Sequence, residues 1–294
     1  MAGQVIPPLA ERDRITRGLI CRLDDAVAAD EGEALDLEVL ELLVPFATQS
    51  LTFALARSEM PPRMEAVDLA RVAIVQRVLN ALPTSYGLLR RHLYLESIGA
   101  SRALLEGALL LRYFQRRPER AGAWFDDPDS FRRLPELRKE IEATPRDEFY
   151  GWSSALGQHV TAAGFKMLAG VSADGTRIEM SIGGRFDPEL QLHAAGVLLS
   201  SASSASGALT DTFMHDLSRL PTRGRQAFVQ LMKAGLIDRP LYEAIRFTAA
   251  HLKVDERELR GLLERLDAAR IVYRDEAAKL EAAGILPPPA DHEF

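Results

Sequence analysis

The chain has 294 residues, of which 47% are hydrophobic and 27% charged, and its formal net charge is −6. This composition is typical of a globular protein with a large core. The net negative charge argues against nonspecific nucleic-acid binding over the whole protein surface. The single cysteine, Cys21, excludes an internal disulfide and a cysteine-based zinc site. No apolar run reaches the ~18–20 residues of a membrane span. We therefore expect a cytoplasmic protein with no membrane attachment, no metal and no cofactor.

Helical periodicity dominates the first part of the chain. Apolar residues recur every three or four positions over residues 9–29, 35–57 and 64–82, and Pro83-Thr84-Ser85 is expected to end the third helix. A fourth helix is predicted over residues 86–116, which contain no proline and are rich in strong helix formers. Because apolar side chains cover most of its sides, we predict that this is the central, buried helix of a bundle.

The middle of the chain is predicted to be helical apart from one short β segment. Short helices are predicted over residues 118–125 and 129–143, and a longer helix is predicted over residues 145–168. Residues 170–186 break the helical pattern, with a turn signal at Asp174-Gly175 followed by alternating apolar residues, which predicts a small β-hairpin or a structured loop. Asp187-Pro188 then has the form of a helix cap and start, and the next helix is expected to reach about Leu220.

After Pro221 the predicted helices become shorter. Three short helix patterns cover residues 223–234, 240–252 and 255–269, followed by a strand-like segment at 270–275 and a helix at 276–283. Residues 219–275 hold 12 basic and 8 acidic side chains, a net of +4 in an acidic chain. This order resembles a winged-helix module, in which residues 256–268 would form the recognition helix and 270–275 the first wing strand. The resemblance implies nucleic-acid binding through basic side chains, for which the candidates are Arg223, Arg225, Arg257 and Arg260. The alternative is a plain helical subdomain or a protein-binding winged helix, because no second wing strand follows and acidic side chains of the same segment would repel phosphate: Asp255, Glu256, Glu258 and Glu264.

A charged pair lies within the apolar face of the predicted central helix. Arg102 and Glu106 are one helical turn apart, and a buried charge is costly unless it is paired. His159 lies on the apolar face of the helix predicted at 145–168. Two interpretations stay open. The three residues form a ligand site in which the pair binds an anion or holds the histidine as a base, or the pair is a structural salt bridge and the histidine belongs to the core.

The residues around this pair also carry a family resemblance. Residues 100–114 and 118–124 resemble a widespread bacterial all-helical family with an Arg-x3-Glu helix, a Pro-Glu/Trp segment and a later Tyr…Ser…His helix. The last of these would correspond to Tyr150, Ser154 and His159, which the resemblance adds to the candidate ligand site. It implies an all-helical core and a loose relation to HEPN-type domains, several of which cleave RNA.

HEPN nucleases carry an Arg-x4–6-His motif, in which the two side chains polarise a phosphodiester and move protons. Arg246-Phe-Thr-Ala-Ala-His251 has this spacing, although Phe247 replaces the polar residue that usually follows the arginine. In so arginine-rich a chain, about 0.6 such matches are expected by chance. The alternative is a surface arginine and a half-buried histidine on one amphipathic helix.

These patterns predict an all-α protein. A multi-helix bundle is expected over residues 1–220, with a β-hairpin at about 170–186, followed by a small winged-helix-like subdomain over 221–284 and a flexible tail at 285–294. Three functions are compatible with the sequence. The first is an intracellular bacterial regulator or defence protein that binds nucleic acid through its C-terminal part while the bundle senses a ligand or partner. The second is a HEPN-like ribonuclease, and the third is a non-catalytic scaffold that forms a homodimer.

Overall fold

A computed structural model describes residues 6–21, 32–58, 65–127, 169–171, 178–180, 186–237 and 239–251, together with scattered positions between 257 and 284. The prediction of an all-α fold is confirmed. The α-helices of the described residues are α1 (Leu9–Cys21), α2 (Glu33–Ser58), α3 (Ala66–Arg90), α4 (Tyr94–Arg116), α5 (Ala121–Asp126), α6 (Pro188–Asp216), α7 (Thr222–Lys233) and α8 (Arg239–His251). Short 3-10 turns at Pro118–Arg120 and Leu217–Arg219 precede α5 and follow α6.

Two three-residue strands, β1 (Ala169–Val171) and β2 (Ile178–Met180), pair antiparallel with Gly170 opposite Glu179. The Asp174-Gly175 turn expected between them lies outside the described residues. The helices predicted over 129–143 and 145–168 lie outside them as well.

The core of the bundle is formed by α2, α3, α4 and α6. Helix α4 packs along both α3 and α6, and α2 packs against α1, α3, α6, α7 and α8. By length and composition alone α2 is apolar enough to cross a membrane, but 72% of its most apolar segment is buried inside the protein. The same helix buries Thr48, Gln49, Thr52 and Arg57, so its polar side chains face other helices. Helix α2 therefore has the characteristics of a core helix.

The predicted boundary between the third and fourth helices is wrong. Helix α3 continues through Pro83 to Arg90, and the central helix begins only at Tyr94. Pro83 is buried in the core, so its packing offsets the hydrogen bond that a proline cannot donate, and the adjacent Thr84 hydroxyl donates to the Asn80 carbonyl at 2.8 Å. The actual break is at His92, whose φ of +59° ends α3 in the left-handed conformation usually taken by glycine.

The start of α6 follows the sequence expectation. The Asp187 carboxylate accepts hydrogen bonds from the backbone N–H groups of Glu189 and Leu190, both at 3.0 Å, and Pro188 occupies the first turn. This satisfies two of the donors that a helix start leaves without a partner. The helix then runs without interruption through its serine- and alanine-rich middle, where small side chains allow close packing against α4.

The C-terminal part differs from the expected module in one described feature. Asp275, placed in the predicted wing strand 270–275, is helical, and the described residues 278, 279 and 282 continue as helix. The alanine-rich sequence after Asp275 favours a helix over a strand there. Residues 257, 260, 261, 263 and 264 of the expected recognition helix are also helical, while the rest of the wing lies outside the described residues. Helices α7 and α8 share the hydrophobic core of the bundle, so this part packs directly onto α2 and α6.

Replacing Gly107 with alanine is expected to destabilise the protein by about 1–2 kcal/mol, because overpacking outweighs the ~1 kcal/mol gain in helix propensity. A Cβ at Gly107 would lie 2.6 Å from Val78 Cγ2, where α4 meets α3. Urea unfolding measures the change, and a Val78→Ala background should remove it. Gly18→Ala is the matched control, since nothing lies within 4 Å of that position and only the propensity gain is expected. An equal stabilisation by both alanines would contradict the close contact.

Candidate functional site

The candidate ligand pair forms as the spacing predicts. Arg102 Nε donates to Glu106 Oε1 at 2.8 Å along one side of α4. The two side chains are 16% and 20% exposed, so the pair is partly buried rather than fully buried as expected. Tyr150, Ser154 and His159 lie outside the described residues, and the larger ligand site therefore stays a prediction.

The two residues of the candidate nuclease motif point in different directions along α8. Arg246 is exposed, and its guanidinium lies 6.0 Å from the centre of the Tyr242 ring. His251 is half-buried and stacks on Phe247 with ring centres 4.3 Å apart, and its Nδ1 donates to the Phe247 carbonyl at 2.9 Å. Five residues along a helix turn a side chain by about 140°. Arg246 and His251 therefore do not converge within one chain.

The candidate nucleic-acid residues divide into exposed and half-buried positions. Arg223, Arg257 and Arg260 are exposed and helical. Arg225 is half-buried, and its Nη2 donates to Thr222 Oγ1 at 3.3 Å within the first turn of α7. Arg257 and Arg260 lie three residues apart, so they occupy the same side of their helical segment.

Helix α7 has one exposed face of basic and uncharged polar side chains, of which the sequence analysis named only Arg223. The α7 face consists of exposed side chains at intervals of three and four residues: Arg223, Gln226, Gln230 and Lys233. Helix α7 contains no acidic residue. The opposite side is fixed to the bundle, where Gly224 allows close approach to Ala56 and the Phe228 ring stacks on Phe213 at 4.8 Å. The face is therefore held on a rigid element.

A buried network of four charged side chains joins the ends of three helices and was also missed. Arg57 lies in the last turn of α2, Asp68 and Arg71 lie in the first two turns of α3, and Asp216 ends α6. Arg57 donates to both Asp68 and Asp216, and Arg71 Nη1 donates to Asp216 Oδ2 at 2.5 Å. Each of the four side chains is at most 2% exposed. Two positive and two negative charges balance in the core.

Burial and mutual repulsion set the electrostatics of this network. Burial, with a smaller contribution from the nearby Arg57 cation, lowers the pKa of Arg71 from its ordinary value to about 10, and Asp68 opposes the decrease. Burial also lowers the pKa of Arg57, again against the attraction of Asp68. Both guanidinium groups stay charged at neutral pH and depend on the aspartates to offset their desolvation.

Arg219 connects the buried network to the protein surface. Its Nη2 lies 3.4 Å from both Asp68 Oδ2 and Glu65 Oε2, and its Nη1 is 3.9 Å from Asp216 Oδ1. The side chain is 41% exposed and belongs to the 3-10 turn just before α7. The α7 face therefore begins beside a cation that the core network holds in place.

Within the described part of the chain, no group of three or more His, Cys, Asp or Glu side chains is arranged to hold a metal ion. Comparisons with known protein families, curated proteins and solved structures found no match. The resemblances drawn from sequence motifs accordingly stay predictions, and the chemistry of the described residues carries the functional argument.

Proposed function

We propose that the protein is a regulator that binds duplex DNA through the α7 face. The observation that carries this proposal is the absence of any acidic side chain from α7, in a chain whose net charge is −6. Arg223 and Lys233 stand at the two ends of the face, and Arg219 precedes it. A cationic strip on an acidic protein directs a polyanion to one place.

The side chains of the α7 face suit a duplex. Lysine and arginine neutralise phosphates and release counterions, which supplies most of the affinity. Arginine also pairs with guanine and glutamine with adenine in the major groove, which is wide enough to admit a helix. Gln226 lies between the basic ends, where a recognition helix carries its base-reading side chains. The packing of α7 on α2 keeps these groups in a fixed register.

Two other parts of the chain support the same role. Arg257 and Arg260 are exposed on one side of their helical segment and would add phosphate contacts next to the groove. The half-buried Arg102–Glu106 pair on α4 is the candidate contact for the ligand or partner to which the bundle responds.

Removing both basic ends of the α7 face tests the proposal. Arg223→Ala with Lys233→Ala should lower affinity for random-sequence duplex DNA roughly tenfold, which corresponds to about 1.4 kcal/mol. The slope of log affinity against log salt should fall by about 2, one unit for each lost phosphate contact. Fluorescence anisotropy over a range of salt concentrations measures both quantities.

The matched control removes the same charge from a different surface. Arg77 and Arg91 are exposed residues of α3 and of the turn that follows it. The double variant Arg77→Ala, Arg91→Ala should leave both affinity and salt slope near those of the parent protein. Equal losses in the two double variants, or no duplex binding by the parent, would exclude the proposal and favour the scaffold function.

A further inference from the structure

Three arginines are completely buried in the described residues, and one of them lacks a carboxylate. Arg57 and Arg71 share Asp68 and Asp216 in the network described above. Arg12 of α1 is also 0% exposed, but no acidic side chain of the described residues lies within ion-pair distance of it. A buried cation without a counter-ion is unfavourable, so its retention needs a reason.

The surroundings of Arg12 are polar but neutral. Its Nη1 donates to the Thr52 hydroxyl of α2, and its Nη2 donates to Gln230 Oε1 of α7 at 2.8 Å. Its Nε is buried and has no hydrogen-bond partner among the described residues. Burial lowers the pKa of Arg12 from its ordinary value to about 10, and no acidic side chain of the described residues opposes the decrease. The group is charged at neutral pH and incompletely satisfied.

Of the two side chains that accept hydrogen bonds from the Arg12 guanidinium in the described residues, only Gln230 reaches the surface. The glutamine is exposed and belongs to the α7 face, whereas Thr52 is fully buried. The Nε and Nη2 hydrogens lie on the same edge of a guanidinium, the edge that forms bidentate bonds with oxyanions. On Arg12 this edge carries one bond to the exposed Gln230 side chain and one donor that has no partner among the described residues.

We propose that Arg12 is the anchor of a phosphate-binding site that opens when the Gln230 side chain turns aside. Two oxygens of the phosphate would accept from Nε and Nη2, so two bonds to a charged acceptor would replace one bond to the neutral Gln230 amide. The phosphate comes from a nucleic-acid backbone on the α7 face or from free phosphate. If the phosphate belongs to a nucleic-acid backbone, the site is part of the proposed DNA-binding surface and rests on the proposed function. If it is free phosphate, the site is independent of DNA binding.

The substitution Gln230→Glu supplies the missing carboxylate and is the direct test. The carboxylate introduced by Gln230→Glu should pair with Arg12 and raise the melting temperature by about 2 °C. It should also block phosphate from binding to Arg12. Inorganic phosphate, compared with sodium chloride at equal ionic strength, should raise the melting temperature of the parent protein and leave that of Gln230→Glu unchanged. Differential scanning calorimetry of the full chain records both shifts.

Gln226→Glu is the matched control, because Gln226 is exposed on the same face and has no hydrogen bond with Arg12. It adds the same charge to α7, so it should leave the melting temperature unchanged and keep the response to phosphate. An unchanged melting temperature in Gln230→Glu would overturn the site. So would an equal loss of the phosphate response in both variants, which would reflect general surface charge.

Duplex binding distinguishes the two sources of phosphate. A larger loss of DNA affinity in Gln230→Glu than in Gln226→Glu indicates that a backbone phosphate reaches Arg12. Equal losses, with the phosphate response intact in Gln226→Glu, indicate a free phosphate ligand. If the parent protein binds no DNA but shows the expected phosphate and Gln230→Glu shifts, the proposed function fails and the Arg12 site stands.

Discussion

Asp216→Asn is expected to lower the free energy of unfolding by about 3–5 kcal/mol, the usual cost of breaking a buried ion pair from one side. The Asp216 carboxylate accepts from both Arg57 and Arg71. Asparagine keeps the size of the side chain but removes its charge, so Asp68 would be the one carboxylate of the buried network left for two guanidinium groups. Urea unfolding followed by circular dichroism at neutral pH measures the loss.

An exposed ion pair provides the contrast. Glu41 contacts Arg17 at 2.5 Å, and these side chains are 62% and 41% exposed. The Arg17 hydrogen bond lowers the pKa of Glu41, but water screens the pair. Glu41→Gln should therefore change stability by less than about 1 kcal/mol. A loss of that small size in Asp216→Asn as well would show that the buried network contributes no more than a surface pair.

Phe213→Ala is expected to destabilise the protein by about 3–5 kcal/mol, the range for truncating a fully buried phenylalanine. Phe213 is 0% exposed and sits between two aromatic rings. The Phe53 ring meets it edge-on at 4.5 Å, and the Phe228 ring stacks on it at 4.8 Å. The truncation therefore removes two ring contacts and leaves a cavity where α2, α6 and α7 meet.

The effect should extend from stability to DNA binding, because Phe228 is the residue through which α7 stacks on α6. Under conditions in which it stays folded, Phe213→Ala should bind duplex DNA more weakly than the parent protein. The slope of log affinity against log salt should be unchanged, because the charges are intact but their positions are less fixed. Leu37→Ala, at a position 49% exposed, is the control and should change neither property. Full duplex affinity in folded Phe213→Ala would show that the α7 face does not depend on this stacking.

Periodicity alone was sufficient to predict much of the architecture. The apolar repeat places α1, α2 and α7 near their observed positions, and Asp187-Pro188 marks the start of α6. These features depend on neighbours within one or two helical turns. The prediction failed between α3 and α4, where Pro83 was interpreted as a helix end. Burial of Pro83 stabilises a continuous helix, and a histidine at positive φ gives no local signal of a turn.

In the candidate sites, as in the fold, contacts between residues close in sequence could be predicted and contacts between distant residues could not. The Arg102–Glu106 pair was found because its partners are four residues apart. Arg57 and Asp216 are separated by 159 residues, and no local pattern connects them. Arg12 was missed for a related reason, since its burial depends on how α1 docks against α2 and α7. Single-sequence patterns identify charged residues, but only the packing of distant helices shows which charges are enclosed.

The long separation between the partners of the buried network has a consequence for biosynthesis. Helices α2 and α3 leave the ribosome well before α6, so Arg57 and Arg71 are made long before the carboxylate they share. Closing this contact requires a loop of more than half the chain, which is slow because its entropy must be lost first. During synthesis the charges of Arg57 and Arg71 therefore stay incompletely neutralised until the last turn of α6 supplies the Asp216 carboxylate.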